Sequence, residues 1–198
     1  MPADWQDNAY PGKWSTVSEY RCLVEEVKPA PNVYLLIGHN TLRVGVAGYE
    51  NRLLSADELN QAKRLLEKAL DEGGHGLSTG LIYAPAMFAP REELVELAKV
   101  AAKRDGIYTS HMRSETDMVM NAIEELISIA RDADIRAEIS HLKTSGRKNW
   151  HLVDSALQLI RDARGAGLEV AADRYPYTSS CTDLDSIFPD WAAEGGRE

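Results

Sequence analysis

Ile107-Tyr108-Thr109-Ser110-His111-Met112-Arg113 reads as a short buried strand running out into polar residues, and the pattern returns at Arg136-Ala137-Glu138-Ile139-Ser140-His141-Leu142-Lys143. Between the two, Val119, Ala122, Ile123, Leu126, Ile127 and Ala130 recur at helical spacing behind Ser114 and Asp117, which open the helix. A strand, a helix and a second strand within about 30 residues make a βαβ unit, whose strands run parallel. A further strand, Leu168 to Ala172, follows a helix carrying Leu152, Ala156, Ile160 and Ala163, so strand centres fall near 108, 138 and 170.

The same alternation extends toward the N-terminus. A helix begins near Ser15 and stops before Pro29 and Pro31, and Val33-Tyr34-Leu35-Leu36-Ile37 reads as a buried strand. Ser55 and Glu58 form a capping box for a helix whose stripe, Leu59, Ala62, Leu66 and Leu70, runs to Gly73-Gly74. Gly76 to Leu81 is a strand weak in propensity, required by the alternation. Pro90 at the first helical position, Glu92 and Glu93 in the first turn and Gly106 beyond the end bound the next helix. About five parallel strands result, where a closed (β/α)8 barrel has eight in about 250 residues. An open doubly wound sheet and part of a barrel both fit. Ile37-Gly38-His39-Asn40 matches no Gly-rich phosphate loop, which weakens the nucleotide-binding form.

Composition narrows the function classes. The 198 residues carry a net charge of −9, 44% hydrophobic and 27% charged residues, which suits one soluble globular unit. An acidic chain gives no electrostatic reason to bind nucleic acid or an anionic membrane, so neither is expected as a partner. Cys22 and Cys181 form neither a disulfide framework nor a zinc ribbon, and Cys22 is expected as a small buried hydrophobe. The stretch Met1 to Asp7 has no basic start or apolar run, so a cytoplasmic location is the expectation.

The strand ends carry the chemistry. His39, His111 and His141 each fall at the C-terminal end of a strand, the edge where barrel enzymes assemble their sites. His111 and His141 stand 30 residues apart, one βα unit, so adjacent strands would bring them together as two ligands of a four-coordinate metal. Arg113 and Lys143, each two places further on, would point as their histidines do and offer cations to an anionic substrate; salt bridges in surface loops are the alternative. Thr79 and Tyr83 are placed at the same mouth, with Tyr175 in the dense Asp173-to-Ser180 exit, while His75 and His151 are expected to face solvent.

Five motifs in order resemble one family: Gly38-His39-Asn40-Thr41-Leu42-Arg43, Gly76 to Tyr83, Thr109 to Arg113, Ile139 to Lys143 and Tyr175-Pro176-Tyr177-Thr178. Over most of residues 30 to 195 the chain resembles the middle of the N-acyl-D-amino-acid deacylases (D-aminoacylases) of the amidohydrolase superfamily. The resemblance implies a zinc-dependent hydrolase that splits an N-acyl-D-amino acid into a carboxylate and the free D-amino acid. It puts His111 and His141 on the metal-binding histidines of the fifth and sixth barrel strands, and Lys143, Tyr83 and Tyr175 on substrate-facing positions. Residues 1–198 would then be a single segment of a partial TIM-like barrel, holding strands three to seven and lacking the early and last ones. The family's HxH motif and its catalytic Asp have no counterpart here, and Asp173 lies on the wrong strand to serve as that base. Two other readings stay open: another barrel enzyme for an anionic substrate, and a non-catalytic remnant acting as a binding or assembly module. An unclosed sheet would leave two edges and an apolar interior free, so self-association is expected. The chain alone should bind zinc weakly and show no deacylase activity.

Overall fold

The computed structural model describes residues 13–182, 190–193 and 195. The reading of Met1 to Asp7 lies outside them. Helix α1 (Val17–Val27) is followed by β1 (Ile37–Gly38), α2 (His39–Ala47), α3 (Ala56–Asp71), β2 (Gly76–Gly80) and α4 (Arg91–Ala102). Then come β3 (Ile107–His111), α5 (Val119–Ala133), β4 (Arg136–Ile139), α6 (Val153–Gly165) and β5 (Val170–Ala172). All strand pairs are parallel and the spatial order is β1-β2-β3-β4-β5. A doubly wound sheet reverses its strand order at a switch point. This one never does, so successive right-handed crossovers place their helices on one side, as along an arc of a barrel.

Local signals explain the elements. In α3, Ser55 Oγ accepts the Glu58 N–H at 3.3 Å and the Glu58 carboxylate accepts the Ser55 N–H at 2.8 Å, a completed capping box. Thr16 and Glu19 cap α1 in the same way. Pro90 stands one residue before α4 as its N-cap. Two expectations for this part of the chain need correction. The strand expected over Val33–Ile37 shrinks to Ile37–Gly38, with Val33 and Tyr34 exposed, because only those two residues find ladder partners on β2. The chain then turns into α2, a helix that Thr41, Val44, Val46 and Gly45 disfavour locally and that burial of His39, Leu42 and Arg43 sustains. Cys22 is exposed, on a helix that buries none of its residues.

Alternation in the strands separates two faces. Leu77, Thr79, Tyr108, Ser110, Ala137 and Ile139 are buried. They stand on the side covered by α4, α5 and α6, packed with Leu66, Leu94, Leu97, Ile123 and Leu126. Each fully buried Leu or Ile contributes roughly 1.5–3 kcal/mol. Thr79 belongs to this layer and not to the mouth: its hydroxyl lies 2.8 Å from Ser110 Oγ and 3.1 Å from the Tyr108 hydroxyl. The opposite face presents Ser78, Thr109, Glu138 and His111, all half-exposed. The interior expected to be apolar is therefore polar, and self-association through it would have to desolvate these groups. Among the described residues no helix is long and apolar enough to cross a membrane.

A buried ion cluster ties α2 to α4. Glu93 accepts from Arg43 Nη1 at 2.5 Å and pairs with His39 Nε2 at 2.8 Å, and the side chains of all three are at most 4% exposed. Arg43 also donates to the Arg52 carbonyl. Glu93, expected as a first-turn acid facing the helix dipole, instead points into the core, and His39 is spent on it. Burial pushes the Glu93 carboxyl up, but the hydrogen bonds from His39 and Arg43 outweigh it and hold the group below its usual range.

Two outcomes follow. A Cβ at Gly76 would lie 2.1 Å from the Ile107 carbonyl oxygen, so Gly76→Ala should part β2 from β3 and cost about 1–3 kcal/mol or more in urea denaturation. Because its folded pKa is depressed, Glu93 contributes stability that is complete above the unfolded value of about 4.3 and is lost as pH falls through the folded value. Glu93→Ala should cost about 3–5 kcal/mol at neutral pH, since it leaves Arg43 buried without its carboxylate, and should flatten the acid limb of the stability profile.

Candidate functional site

The site lies at the C-terminal ends of β2 to β5. The β3–β4 register pairs Ser110 with Ile139, and the Ser140 N–H donates to the Ser110 carbonyl at 3.0 Å, so the two chains leave the sheet side by side. His111 is the last residue of β3. His141 stands two residues past β4 with a left-handed φ of 43°, a bend held by the Asp173 carboxylate, which accepts the His141 N–H at 2.5 Å. That turn aims the ring back across the strand ends.

The two imidazoles meet. His141 Nε2 lies 2.5 Å from His111 Nδ1 and 3.3 Å from its Nε2, with ring centroids 4.0 Å apart. Burial, and then the neighbouring His141, push the His111 pKa down, with Glu115 opposing. A neutral imidazole keeps the lone pair that a metal needs. Glu115 joins the pair, its ligand atom and the two histidine nitrogens all lying within 4.8 Å of one another. Nitrogen donors with a nearby carboxylate suit zinc, so the residues present fit that ion.

Lys143 and Arg113, expected to share a direction, part company. Lys143 Nζ lies 2.6 Å from Glu115 Oε1 and 2.9 Å from His141 Nδ1, at the mouth. Arg113 turns outward: it pairs with Glu125 on α5 at 3.0 Å and donates to the carbonyls of Met87 at 2.9 Å and Ala89 at 3.1 Å. With its fork engaged there, the guanidinium clamps the β2–α4 connection to α5, the salt-bridge role set beside it as the alternative. The i, i+2 relation belongs to an extended strand, and β3 ends at His111.

Two tyrosines flank the histidines. The Tyr83 ring stands 6.2 Å from His111 and the Tyr175 ring 6.1 Å from His141, centroid to centroid. Tyr83 is anchored through its hydroxyl to Thr182 Oγ1 at 2.7 Å. Lys143 Nζ lies 5.3 Å from the Tyr175 centroid and the Arg174 guanidinium 4.1 Å from it, both cation–π contacts. Arg174's hydrogen bond and the Lys143 charge lower the Tyr175 pKa, although burial opposes them. Beneath the mouth, burial pushes the Glu138 carboxyl up and its hydrogen bond with Asp173 adds to the shift. His75 and His151 are exposed. Glu115 was missed from the sequence; the signal available was an acid four places after His111, able to serve as counter-ion to Lys143.

No family model matches the chain. The N-acyl-D-glutamate deacylase of Alcaligenes xylosoxydans xylosoxydans is 37% identical over 171 residues, 86% of this chain and 35% of that protein. The D-aminoacylase of the same organism is 33% identical over 183 residues, 92% of this chain and 38% of that protein. A D-aminoacylase crystal structure, described as defining a novel subset of amidohydrolases, superposes with a TM-score of 0.79 at 35% identity, covering 83% of this chain and 35% of that one. The structure of N-acyl-D-glutamate deacylase from Bordetella bronchiseptica, complexed with zinc and a phosphonate mimic of the tetrahedral intermediate, gives the same TM-score of 0.79 at 37% identity, over 83% of this chain and 35% of that one. The chain thus spans little more than a third of the length of the curated relatives it matches. Over that third, its sequence and fold are those of the N-acyl-D-amino-acid deacylases, the D-aminoacylase group of the amidohydrolases.

Proposed function

We propose that this segment supplies one half of the catalytic mouth of a zinc-dependent N-acyl-D-amino-acid deacylase, built on barrel strands three to seven. The observation that carries the reading is the meeting of two histidines from adjacent strand ends beside a cation, with an aromatic ring on either side. In it, His111 and His141 hold zinc. The ion, when bound, activates water and polarises the amide carbonyl. The overall reaction adds water across the amide C–N bond, giving a carboxylate and the free amine.

The remaining residues orient the substrate. Lys143, its side chain 14% exposed, is sheltered enough for its charge to matter and open enough to meet the α-carboxylate of an N-acyl-amino acid. Tyr83 and Tyr175 wall the two sides. With the carboxylate held by Lys143 and the amide directed to the histidine pair, the side chain has one direction left, so only one enantiomer presents its carbonyl correctly. Arg113 takes no part in binding in this reading. Support comes from relatives named for N-acyl-D-glutamate and N-acyl-D-aspartate as well as D-aminoacylase.

Substitutions separate the two roles. In an enzyme whose barrel contains this segment, His141→Ala should lose zinc and nearly all turnover. Lys143→Met should keep zinc and raise KM for N-acyl-D-amino acids roughly tenfold to a hundredfold, the value of one charge-assisted hydrogen bond of about 1.5–3 kcal/mol. Metal analysis of the purified variants checks the first outcome and steady-state kinetics the second. Equal zinc content in wild type and His141→Ala would overturn the reading.

A further inference from the structure

Glu115 lies in the centre of the site and neither the motifs nor the expected ligand set gives it a task. We infer that Glu115 is the positioning carboxylate of the metal centre: it accepts the Nδ1–H of His141, fixes that ring's tautomer, and pins Lys143 beside it. The inference rests on the reading of His111 and His141 as zinc ligands.

The two nitrogens of His141 face opposite partners. Nε2 meets His111 at 2.5 Å, while Nδ1 meets Glu115 Oε1 at 2.8 Å and Lys143 Nζ at 2.9 Å. A neutral imidazole whose Nε2 serves as ligand carries its one proton on Nδ1. That proton needs an acceptor, and an ammonium has no lone pair to offer. Glu115 is the acceptor within reach, and the same oxygen stands 2.6 Å from Lys143 Nζ. One carboxylate oxygen therefore lies within ion-pair distance of a histidine and a lysine together. The side chains of Glu115 and His141 are each 17% exposed, so water competes little for the contact.

Direct ligation by Glu115 is the competing assignment, since its ligand atom falls within 4.8 Å of the histidine nitrogens. Its oxygen, however, sits against Nδ1, on the side of the ring turned from the His111 contact. In that position Oε1 contacts the ring across from a metal at Nε2. These contacts favour the orienting role, in which an outer carboxylate raises the basicity of the ligand and holds its plane.

The test measures zinc affinity of the 198-residue chain by competition with a chromophoric chelator, for wild type, Glu115→Gln, Glu115→Ala and His141→Ala. Gln retains a carbonyl oxygen that accepts the Nδ1–H; Ala retains nothing. The inference expects Glu115→Ala to weaken zinc about 10–100-fold, the usual effect of losing such a partner, and Glu115→Gln to weaken it only a few-fold. Cobalt substituted for zinc should keep its visible absorption spectrum in Glu115→Gln, because the ligand set is unchanged. If Gln weakens zinc as much as Ala and alters the cobalt spectrum, Glu115 is a ligand and the inference is overturned. Affinity within twofold of wild type in Glu115→Ala, with His141→Ala still abolishing binding, overturns the positioning role and leaves the zinc site standing. Unchanged affinity in His141→Ala instead overturns the zinc reading itself. Should Glu115→Ala fail to fold, the Gln variant and its cobalt spectrum still decide between orientation and ligation.

Discussion

The parallel ladder between β3 and β4 sets the position of everything at the mouth of this sheet. Ile107 pairs with Arg136 and Ser110 with Ile139, so the residues just beyond leave the sheet next to each other. A slip of one residue would turn His111 from the polar interior face to the helix-covered one and send Tyr108 the other way. Burial opposes that slip. Tyr108 is fully buried and pushed up to about 12 by desolvation, against the hydrogen bonds of Thr79 and Ser110, so its hydroxyl stays neutral within the core. The packing of the helix side thereby holds the chemistry of the other side in register.

Three glutamates on this scaffold meet three fates that follow from their surroundings. Glu93 is sealed with Arg43 and His39 and locks α2 to α4. Glu125 neutralises Arg113 and joins α5 to the β2–α4 connection. Glu115 sits at the open end of the sheet with His141 and Lys143. The contrast between the two His–Glu pairs is informative: at His39 and Glu93 the side chains are 0% and 4% exposed, whereas at His141 and Glu115 both are 17% exposed. The first pair has no access for a ligand and works as structure. The second lies at the open strand ends, partly exposed to solvent.

The backbone contributes to the same end. His141 occupies a left-handed conformation that a side chain rarely adopts, and the hydrogen bond from its N–H to Asp173 offsets part of that cost. The Leu142 N–H to the Asp173 carbonyl at 2.9 Å, and the Asp173 N–H to the Ile139 carbonyl at 3.1 Å, extend the β4–β5 ladder to this bend. Asp173 is therefore occupied in shaping the bend at His141.

The sequence by itself determined the parallel βα repeat, the capping box at Ser55, and the histidines at strand ends, because period, capping chemistry and 30-residue spacing are local or nearly local properties. It admitted both an open sheet and a barrel arc, the former weakened by the lack of a Gly-rich phosphate loop; the unreversed strand order decides that point through long-range pairing. Only the tertiary structure decided which charged groups work together. Arg113 and Lys143 look equivalent at i+2, yet one finds Glu125 on a helix and the other Glu115 in the mouth. Glu92 and Glu93 look alike as first-turn acids, yet Glu93 is buried against residues 50 and 54 positions away in the chain. Partners brought together by folding cannot be read from spacing along the chain, and in a low-dielectric interior the partner decides what a charge does.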